Sequence, residues 1–104
     1  MEMQRLETLK AMLEQNPGDA FARYGIAMEY VRGGELEQAV REFRELLATN
    51  PNYPPAYYHG GQTLEKLGRT DEARALYQQG MDVSTRVGDL HTRSEIQAVL
   101  DVLG

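Results

Sequence analysis

The chain has 104 residues, of which 41% are hydrophobic and 26% are charged, and it carries a formal net charge of −5. This balance is typical of one small globular domain, and the negative charge argues against nucleic acid as a partner because phosphate binding needs a dense Lys and Arg surface. The sequence has no cysteine, which excludes disulfides and thiolate metal sites, and no apolar run reaches the about 18 residues of a membrane-spanning helix.

The first predicted element is an amphipathic helix over residues 2–15. Its apolar residues at helical spacing are Leu6, Leu9, Met12 and Leu13. This N-terminal stretch lacks the continuous apolar segment of a signal peptide, so we expect a cytoplasmic protein. The turn Asn16–Asp19 follows, and Asp19 is the expected N-cap of the second helix, 20–32.

The third and fourth helices are separated by a second Asn-Pro turn, Asn50–Tyr53. The third helix is predicted over residues 35–49, and its apolar side chains form one wide stripe. The stripe consists of Leu36, Ala39, Val40, Phe43, Leu46 and Leu47. The fourth helix begins at Pro54, since the first turn of a helix tolerates residues without a backbone N–H, and ends near Gly68.

The fifth and sixth helices complete the chain. Thr70 is the expected N-cap of the fifth helix, which ends at Gly88. The sixth helix is predicted over residues 89–103. It should bury Leu90, Ile96, Val99, Leu100 and Leu103. Because every connector is short and no segment alternates with period two, we expect an all-α chain whose successive helices are antiparallel neighbours.

The sequence repeats itself at a spacing of 34 residues. Leu13–Pro17 recurs as Leu47–Pro51. Further residue pairs at this spacing are Ala22 and Ala56, Tyr24 and Tyr58, Gly34 and Gly68, Ala39 and Ala73, and Phe43 and Tyr77. A fixed period of this length indicates stacked helical hairpins.

These positions resemble the tetratricopeptide repeat, whose motif is W-x2-L-G-x2-Y, then A-x3-F, then Pro. The matching residues of the first unit are Arg23, Ile26, Ala27, Tyr30, Ala39, Phe43 and Pro51. Those of the second are Tyr57, Gly60, Gly61, Leu64, Ala73, Tyr77 and Thr85. Arg23 stands in place of the usual aromatic residue. Gly60 stands in place of Leu, and we expect the hole that it leaves to be filled by a large neighbour such as Tyr77 or by a residue of the last helix, with a ligand or a second subunit as the open alternative.

The resemblance implies a single domain, 1–104, folded as an α–α superhelix, a short solenoid of about six antiparallel helices. Its predicted parts are a half-repeat helix at 1–17, a first repeat at 18–51, a second repeat at 52–87 and a C-terminal capping helix at 88–104. The last helix fails the motif, because His91, Ser94 and Glu95 would occupy the aromatic, apolar and small positions of a third repeat. We therefore expect it to close the stack.

In members of this family the first helices of each pair line a concave groove that takes an extended peptide or a partner helix. Carried onto this chain, the expected partner-binding residues are Phe21, Tyr24, Met28, Val31, Tyr58, Gln62 and Lys66. A surface of aromatic and Met side chains suits an apolar or amphipathic segment. Two alternatives stay open: these side chains pack on neighbouring helices, or the groove is occupied by the chain's own cap or by a second copy in a homodimer.

The sequence offers no set of catalytic residues. Its two histidines fall on different predicted helices, which argues against a Ser/His/Asp arrangement. His91 and Glu95 lie one helical turn apart, but the sequence supplies no third ligand for a metal ion. We therefore predict a non-catalytic interaction module without cofactor or metal, whose partner is a protein or peptide and not nucleic acid or a membrane.

Overall fold

The computed structural model describes residues 2–104, which form six α-helices. They are α1 (Glu2–Gln15), α2 (Ala20–Arg32), α3 (Leu36–Thr49), α4 (Pro54–Lys66), α5 (Thr70–Val87) and α6 (Leu90–Leu103). These residues contain no β-strand. The predicted all-α fold is confirmed, and each helix begins or ends within about two residues of its expected position.

Short side chains and glycines account for several of these helix ends. Asp19 caps α2, since its carboxylate accepts a hydrogen bond from the Ala22 N–H at 3.0 Å. Gly88, with a φ of 80°, ends α5 in the left-handed conformation. The N-cap predicted at Thr70 is wrong, because Arg69 holds that position without a side-chain bond and Thr70 is already helical.

The six helices form two layers. Helix α2 packs between α1 and α3, α4 packs between α3 and α5, and α6 packs on both α5 and α4. We call α2, α4 and α6 the inner layer and α1, α3 and α5 the outer layer. The shortest dimension of the molecule, 20 Å, equals roughly two helix diameters, as expected for two layers.

The repeat motif supplies the core between the layers. Its most deeply buried members are Ala27, Ala39, Phe43, Leu64, Ala73 and Tyr77. Arg23, in the position usually occupied by an aromatic residue, instead donates to the Glu42 carboxylate at 2.8 Å and so links α2 to α3. Tyr57, at the same position of the second repeat, is buried and donates its hydroxyl to the Pro51 carbonyl at 2.7 Å.

A large neighbour does fill the space beside Gly60, as expected, but it is not Tyr77, and the expected burial of Leu90 is wrong. A Cβ added at Gly60 would meet Leu76 Cδ2 at 2.9 Å and Phe43 Cβ at 3.5 Å, so the space beside Gly60 is filled from α5 and α3. The Tyr77 ring lies instead against Gly61, where it leaves no room for a Cβ. Leu90 was expected in the core but is 71% exposed, since α6 contacts α4 and α5 mainly through the face that carries Ile96.

Candidate binding groove

The inner layer presents the side chains that the sequence predicts for partner binding. Tyr24, Met28 and Val31 lie on one face of α2, and Tyr58 and Gln62 lie on the corresponding face of α4. All five are half-buried. We call this face of α2, α4 and α6 the groove.

Two predicted residues at the ends of these helices are more exposed. Phe21, near the start of α2, is 66% exposed. Lys66, the last residue of α4, is exposed. The two side chains therefore belong to the ends of the groove, whereas the half-buried five form its middle.

The half-buried side chains also contribute to the core. Tyr24, Met28 and Val31 pack with their inner parts against the cluster around Ala39 and Phe43. Tyr58 packs against the cluster around Tyr77 and Ile96. Core packing and partner binding are thus not exclusive, because one part of each side chain supports the fold and another part faces solvent.

An aromatic cluster occupies the centre of the groove. It consists of Tyr24, Tyr53, Tyr58 and His59. The Tyr24 ring lies 5.4 Å from the Tyr53 ring and 5.9 Å from the His59 ring, and the Tyr58 ring lies 5.0 Å from His59. These centroid distances and tilted geometries are those that aromatic pairs prefer, so the cluster joins α2 to α4 as a preorganised surface.

A hydrogen bond further fixes the α4 part of the cluster. Gln62 Nε2 donates to the Tyr58 hydroxyl at 3.0 Å. Because the two residues lie one turn apart on α4, this bond orients the Tyr58 ring along its own helix. It also satisfies part of the hydrogen-bonding capacity of both half-buried groups.

The pKa values of the cluster are shifted mainly by burial, and charged residues around it, among them Glu95 of α6, add smaller effects. Burial raises the pKa of Tyr24 to about 12, with further increases from Tyr53 and Glu95. Burial also raises the pKa of Tyr58, and Glu95 adds to that shift. The pKa of His59 is lowered by burial, and Glu95 only partly opposes this effect. The cluster is therefore uncharged near neutral pH, and the Glu95 carboxylate lies close enough to act on three of its members.

A cavity of about 440 Å³ continues the groove between α4 and α6. Its polar lining comes from Tyr58, Glu65 and Glu95. The apolar lining consists of Ala98, Val99, Val102 and Leu103 of α6. Val102 is 86% exposed, so an apolar side chain of the last helix borders the open side of this cavity.

Three residues of the groove were not predicted as part of it: Tyr53, His59 and Glu95. Tyr53 lies in the turn before α4, His59 lies beside the motif position of Gly60, and Glu95 belongs to a helix that fails the motif. The 34-residue repeat carries no signal for them, because their proximity depends on how three helices meet. The run of aromatic residues at Tyr57–His59 is the one sequence feature that points to His59 as part of the groove.

Two further cavities lie on the outer layer, of about 390 Å³ beside α1 and α3 and about 460 Å³ beside α3 and α5. Residues 34 positions apart line them, since Lys10 and Leu13 of the first correspond to Arg44 and Leu47 of the second. The recurrence indicates that these cavities follow from the packing of successive repeats.

Among residues 2–104, no three His, Asp or Glu side chains are grouped so that they could hold a metal ion. His91 Nε2 and Glu95 Oε1 lie 3.4 Å apart on α6.

Within residues 2–104, no helix combines the length and apolar character that crossing a membrane requires. The cytoplasmic location stays a prediction.

Comparison with known families gives a match to the tetratricopeptide repeat model over residues 24–81, more than half of the chain. This segment runs from the Tyr24 of the groove to the middle of α5. The matched part therefore includes most of the core residues of both full helix pairs, with Ala22 and Val83 just outside it.

Individual proteins are similar over most of the chain. The TPR repeat-containing protein PA0015 of Pseudomonas aeruginosa is 24% identical, over 91% of this chain and 90% of its own length. The crystal structure of a tetratricopeptide repeat domain protein from Salinibacter ruber is 36% identical, with a TM-score of 0.78, over 82% of this chain and 94% of its own. PcrH, crystallised in complex with the chaperone binding region of PopD, has a TM-score of 0.88 at 17% identity, over 94% of this chain and 74% of its own.

Proposed function

The chain belongs to the tetratricopeptide repeat family, and we propose that it is a non-catalytic interaction module of the cytoplasm that binds an extended peptide or a partner helix in its groove. The observation that carries this proposal is the aromatic cluster of Tyr24, Tyr53, Tyr58 and His59. It is held by contacts between helices and yet is only half-buried.

A preorganised aromatic surface is well suited to binding. Tyr side chains provide a large contact area with few rotatable bonds, so little conformational entropy is lost when a partner covers them. Met28, beside the cluster on α2, adds a flexible apolar side chain that adapts to different partners. Truncation of central aromatic residues is typically the most damaging change in a protein interface.

The fold neighbour PcrH supports the same mode of action. Its structure contains a segment of another protein, the chaperone binding region of PopD. At 17% identity the likeness concerns the fold, so the identity of a partner does not transfer. What supports the proposal is that a helical stack of this shape is compatible with binding a protein segment.

The first testable prediction concerns the double variant Tyr24→Ala, Met28→Ala. Peptides selected on the wild-type chain from a random 12-residue display library serve as probes, and fluorescence anisotropy gives their Kd. We expect the double variant to bind about tenfold or more weakly, because it removes the aromatic and Met contacts at the centre of the groove. Circular dichroism should still report a helical protein.

The matched control is Tyr30→Ala, Met81→Ala. Tyr30 and Met81 are also a half-buried Tyr and Met, but Tyr30 faces Lys10 of α1 and Met81 belongs to α5 of the outer layer. This variant should lose comparable stability and retain the peptide affinity. Equal affinity of the groove variant and the wild type would refute the proposed function.

A specific observation favours one alternative, self-association of the chain. Phe21 and Val102 are 66% and 86% exposed, so each leaves an apolar side chain that a second copy can cover, although single exposed apolar residues are ordinary on protein surfaces. A second copy that covers them would make a homodimer. The two hypotheses differ in the mass that the isolated protein has in solution.

A further inference from the structure

The cavity between α4 and α6 combines two carboxylates and one tyrosine with an otherwise apolar lining. Glu65 comes from α4 and Glu95 from α6, and Tyr58, Val99 and Leu103 are among the remaining lining residues. Its volume of about 440 Å³ lies at the lower end of the range of about 300–1,000 Å³ that is usual for ligand sites. A cavity of this kind suits a side chain that is long, apolar along its stem and charged at its end.

The carboxylates have little neutralising charge within the chain. Glu65 accepts a hydrogen bond from the uncharged Tyr77 hydroxyl. Glu95 lies 3.4 Å from His91, which is 86% exposed and is charged only when protonated. Among the cations on the inner layer, Arg23 and Arg32 pair with Glu42 and Glu29. Arg93 donates to the Thr85 hydroxyl on α5, and Lys66 is exposed at the end of α4 and does not line the cavity, although its charge lowers the pKa of His59.

The cavity lining itself therefore carries negative charge and no cation, whereas Arg32 and Lys66 act in the opposite sense on Tyr24 and His59 of the groove. The Glu95 carboxylate contributes to the raised pKa of both Tyr24 and Tyr58, which lie on two different helices. The net charge of −5 adds to the preference for a cationic partner at long range. An acidic segment would be repelled at the same place.

We propose that this cavity receives a Lys or Arg side chain of the partner, with its cation between Glu65 and Glu95 and its stem against Tyr58 and Val99. The inference rests on the proposed function, since the groove must bind a protein segment. Lys and Arg side chains bury their methylene groups on apolar surface while the charged end reaches polar groups. The partner is therefore a segment with apolar residues for the aromatic cluster and a basic residue for the α4–α6 cavity.

The test is a double-mutant cycle between the peptide and the chain. Peptides are selected on the wild type from the 12-residue display library, and each basic residue of a selected peptide is replaced in turn by norleucine, which keeps the stem and removes the charge. Each peptide is measured against wild type and Glu95→Gln. Glu45→Gln is the matched control, because Glu45 is an exposed glutamate of α3 in the outer layer.

We expect selected peptides to be enriched in Lys or Arg, and one basic position to be coupled to Glu95. On the wild type, its replacement by norleucine should weaken binding about threefold to tenfold. On Glu95→Gln the same replacement should have almost no effect, and on Glu45→Gln it should have the full effect. The affinity of the parent peptide should also fall with added NaCl on the wild type and fall less on Glu95→Gln.

The possible failures are distinguishable. Peptides that lose affinity on Tyr24→Ala, Met28→Ala but show no coupling to Glu95, or that carry no basic residue, would overturn this inference and leave the proposed function intact. If the library yields no binders, or only binders that are indifferent to the groove variant, the proposed function and this inference both fall. A change on Glu45→Gln equal to that on Glu95→Gln would also overturn the inference, since only net charge would then matter.

Discussion

At the scale of single residues, small side chains determine how closely the helices approach. Ala39 and Ala73, at equivalent positions of the two repeats, are both fully buried. We expect Ala39→Leu to lower the free energy of unfolding by about 1–3 kcal/mol, because the larger side chain must displace Phe43 or the helix itself. Urea unfolding measures this change, and Ala48→Leu on the exposed side of α3 should stay within about 0.5 kcal/mol of the wild type. Similar losses in both variants would contradict the argument.

Most of the core could be predicted from the sequence, and most of the groove's centre could not. Phe43, Leu64 and Tyr77 are identified by a motif in which each residue type has a fixed packing role. Glu95 and His59 have no such role, since Glu95 comes near enough to act on the pKa of His59 only after α4 and α6 are assembled. Leu90 shows the converse error, because its spacing fits an apolar stripe but the stripe of α6 is narrower than the sequence pattern suggests.

The buried tyrosines should make the fold lose stability as the pH becomes strongly alkaline. Burial raises the pKa of Tyr24 to about 12 and raises that of Tyr77 further, while an unfolded tyrosine titrates near 10. The folded state therefore holds more protons above pH 10. The stability that these hydroxyls contribute is complete below pH 10 and is lost as the pH rises through the folded values. We expect the urea midpoint of the wild type to fall between pH 9 and pH 11.

The variant Tyr24→Phe tests the assignment to this residue. Phe cannot ionise, so the midpoint of Tyr24→Phe should fall less over the same pH interval than that of the wild type. An identical pH dependence would mean that Tyr24 does not contribute. Circular dichroism at each pH, before urea is added, establishes that the starting state is folded.

At the scale of the helix, the N-caps differ in how many side-chain hydrogen bonds they make, and the sequence alone does not reveal this difference. Asp89 accepts hydrogen bonds from both the backbone N–H and the hydroxyl of Thr92, at 3.1 Å and 2.7 Å, whereas the first turn of α5 has no side-chain cap. Asp89→Ala should therefore cost about 1 kcal/mol in the free energy of unfolding. Thr70→Ala, at the position that the sequence suggests as a cap, should cost much less.

The effect of Asp89→Ala should also depend on pH. The hydrogen bonds from Thr92 lower the pKa of Asp89 below its usual value. The stabilisation is therefore present above the pKa that Asp89 has in the unfolded state, and it is lost as the pH falls through the lower pKa of the folded state. Urea unfolding of the wild type and of Asp89→Ala, at neutral and at acidic pH, measures how the difference in their free energy of unfolding changes with pH. A difference between the two proteins that persists in acid would argue against a role for the charged carboxylate.

At the scale of the whole molecule, the last helix closes the stack on one side and extends the groove on the other. Ile96 is fully buried, and its Cδ1 lies 2.8 Å from where a Cβ on Gly80 would stand, so α6 fits closely on α5. Gln97 and Asp101, which are hydrogen-bonded to each other at 2.8 Å, give α6 a polar face as well. The same helix presents Glu95 and Val102 to the groove. A helix without the repeat motif thus ends the array and also gives the groove side chains that the two repeats do not supply.

The oligomeric state decides between a groove that is free and one that is occupied by a second copy. Phe21 lies at the start of α2 and Val102 at the end of α6. Because the two helices run in the same direction, these exposed side chains are separated by on the order of 15–20 Å along the helix axis and do not form one continuous apolar patch. The net charge of −5 further opposes self-association. We therefore expect a monomer between about 1 and 100 µM by sedimentation velocity.

The variants Phe21→Asp and Val102→Asp make this expectation specific. Both positions are largely exposed, so neither change should affect folding by much, and a monomeric wild type predicts that both variants sediment as the wild type does. If the wild type instead gains mass with concentration, the homodimer becomes the better hypothesis. Its interface would contain the groove if Phe21→Asp or Val102→Asp restores the monomer, and a peptide that binds the groove should then dissociate the dimer by mass action.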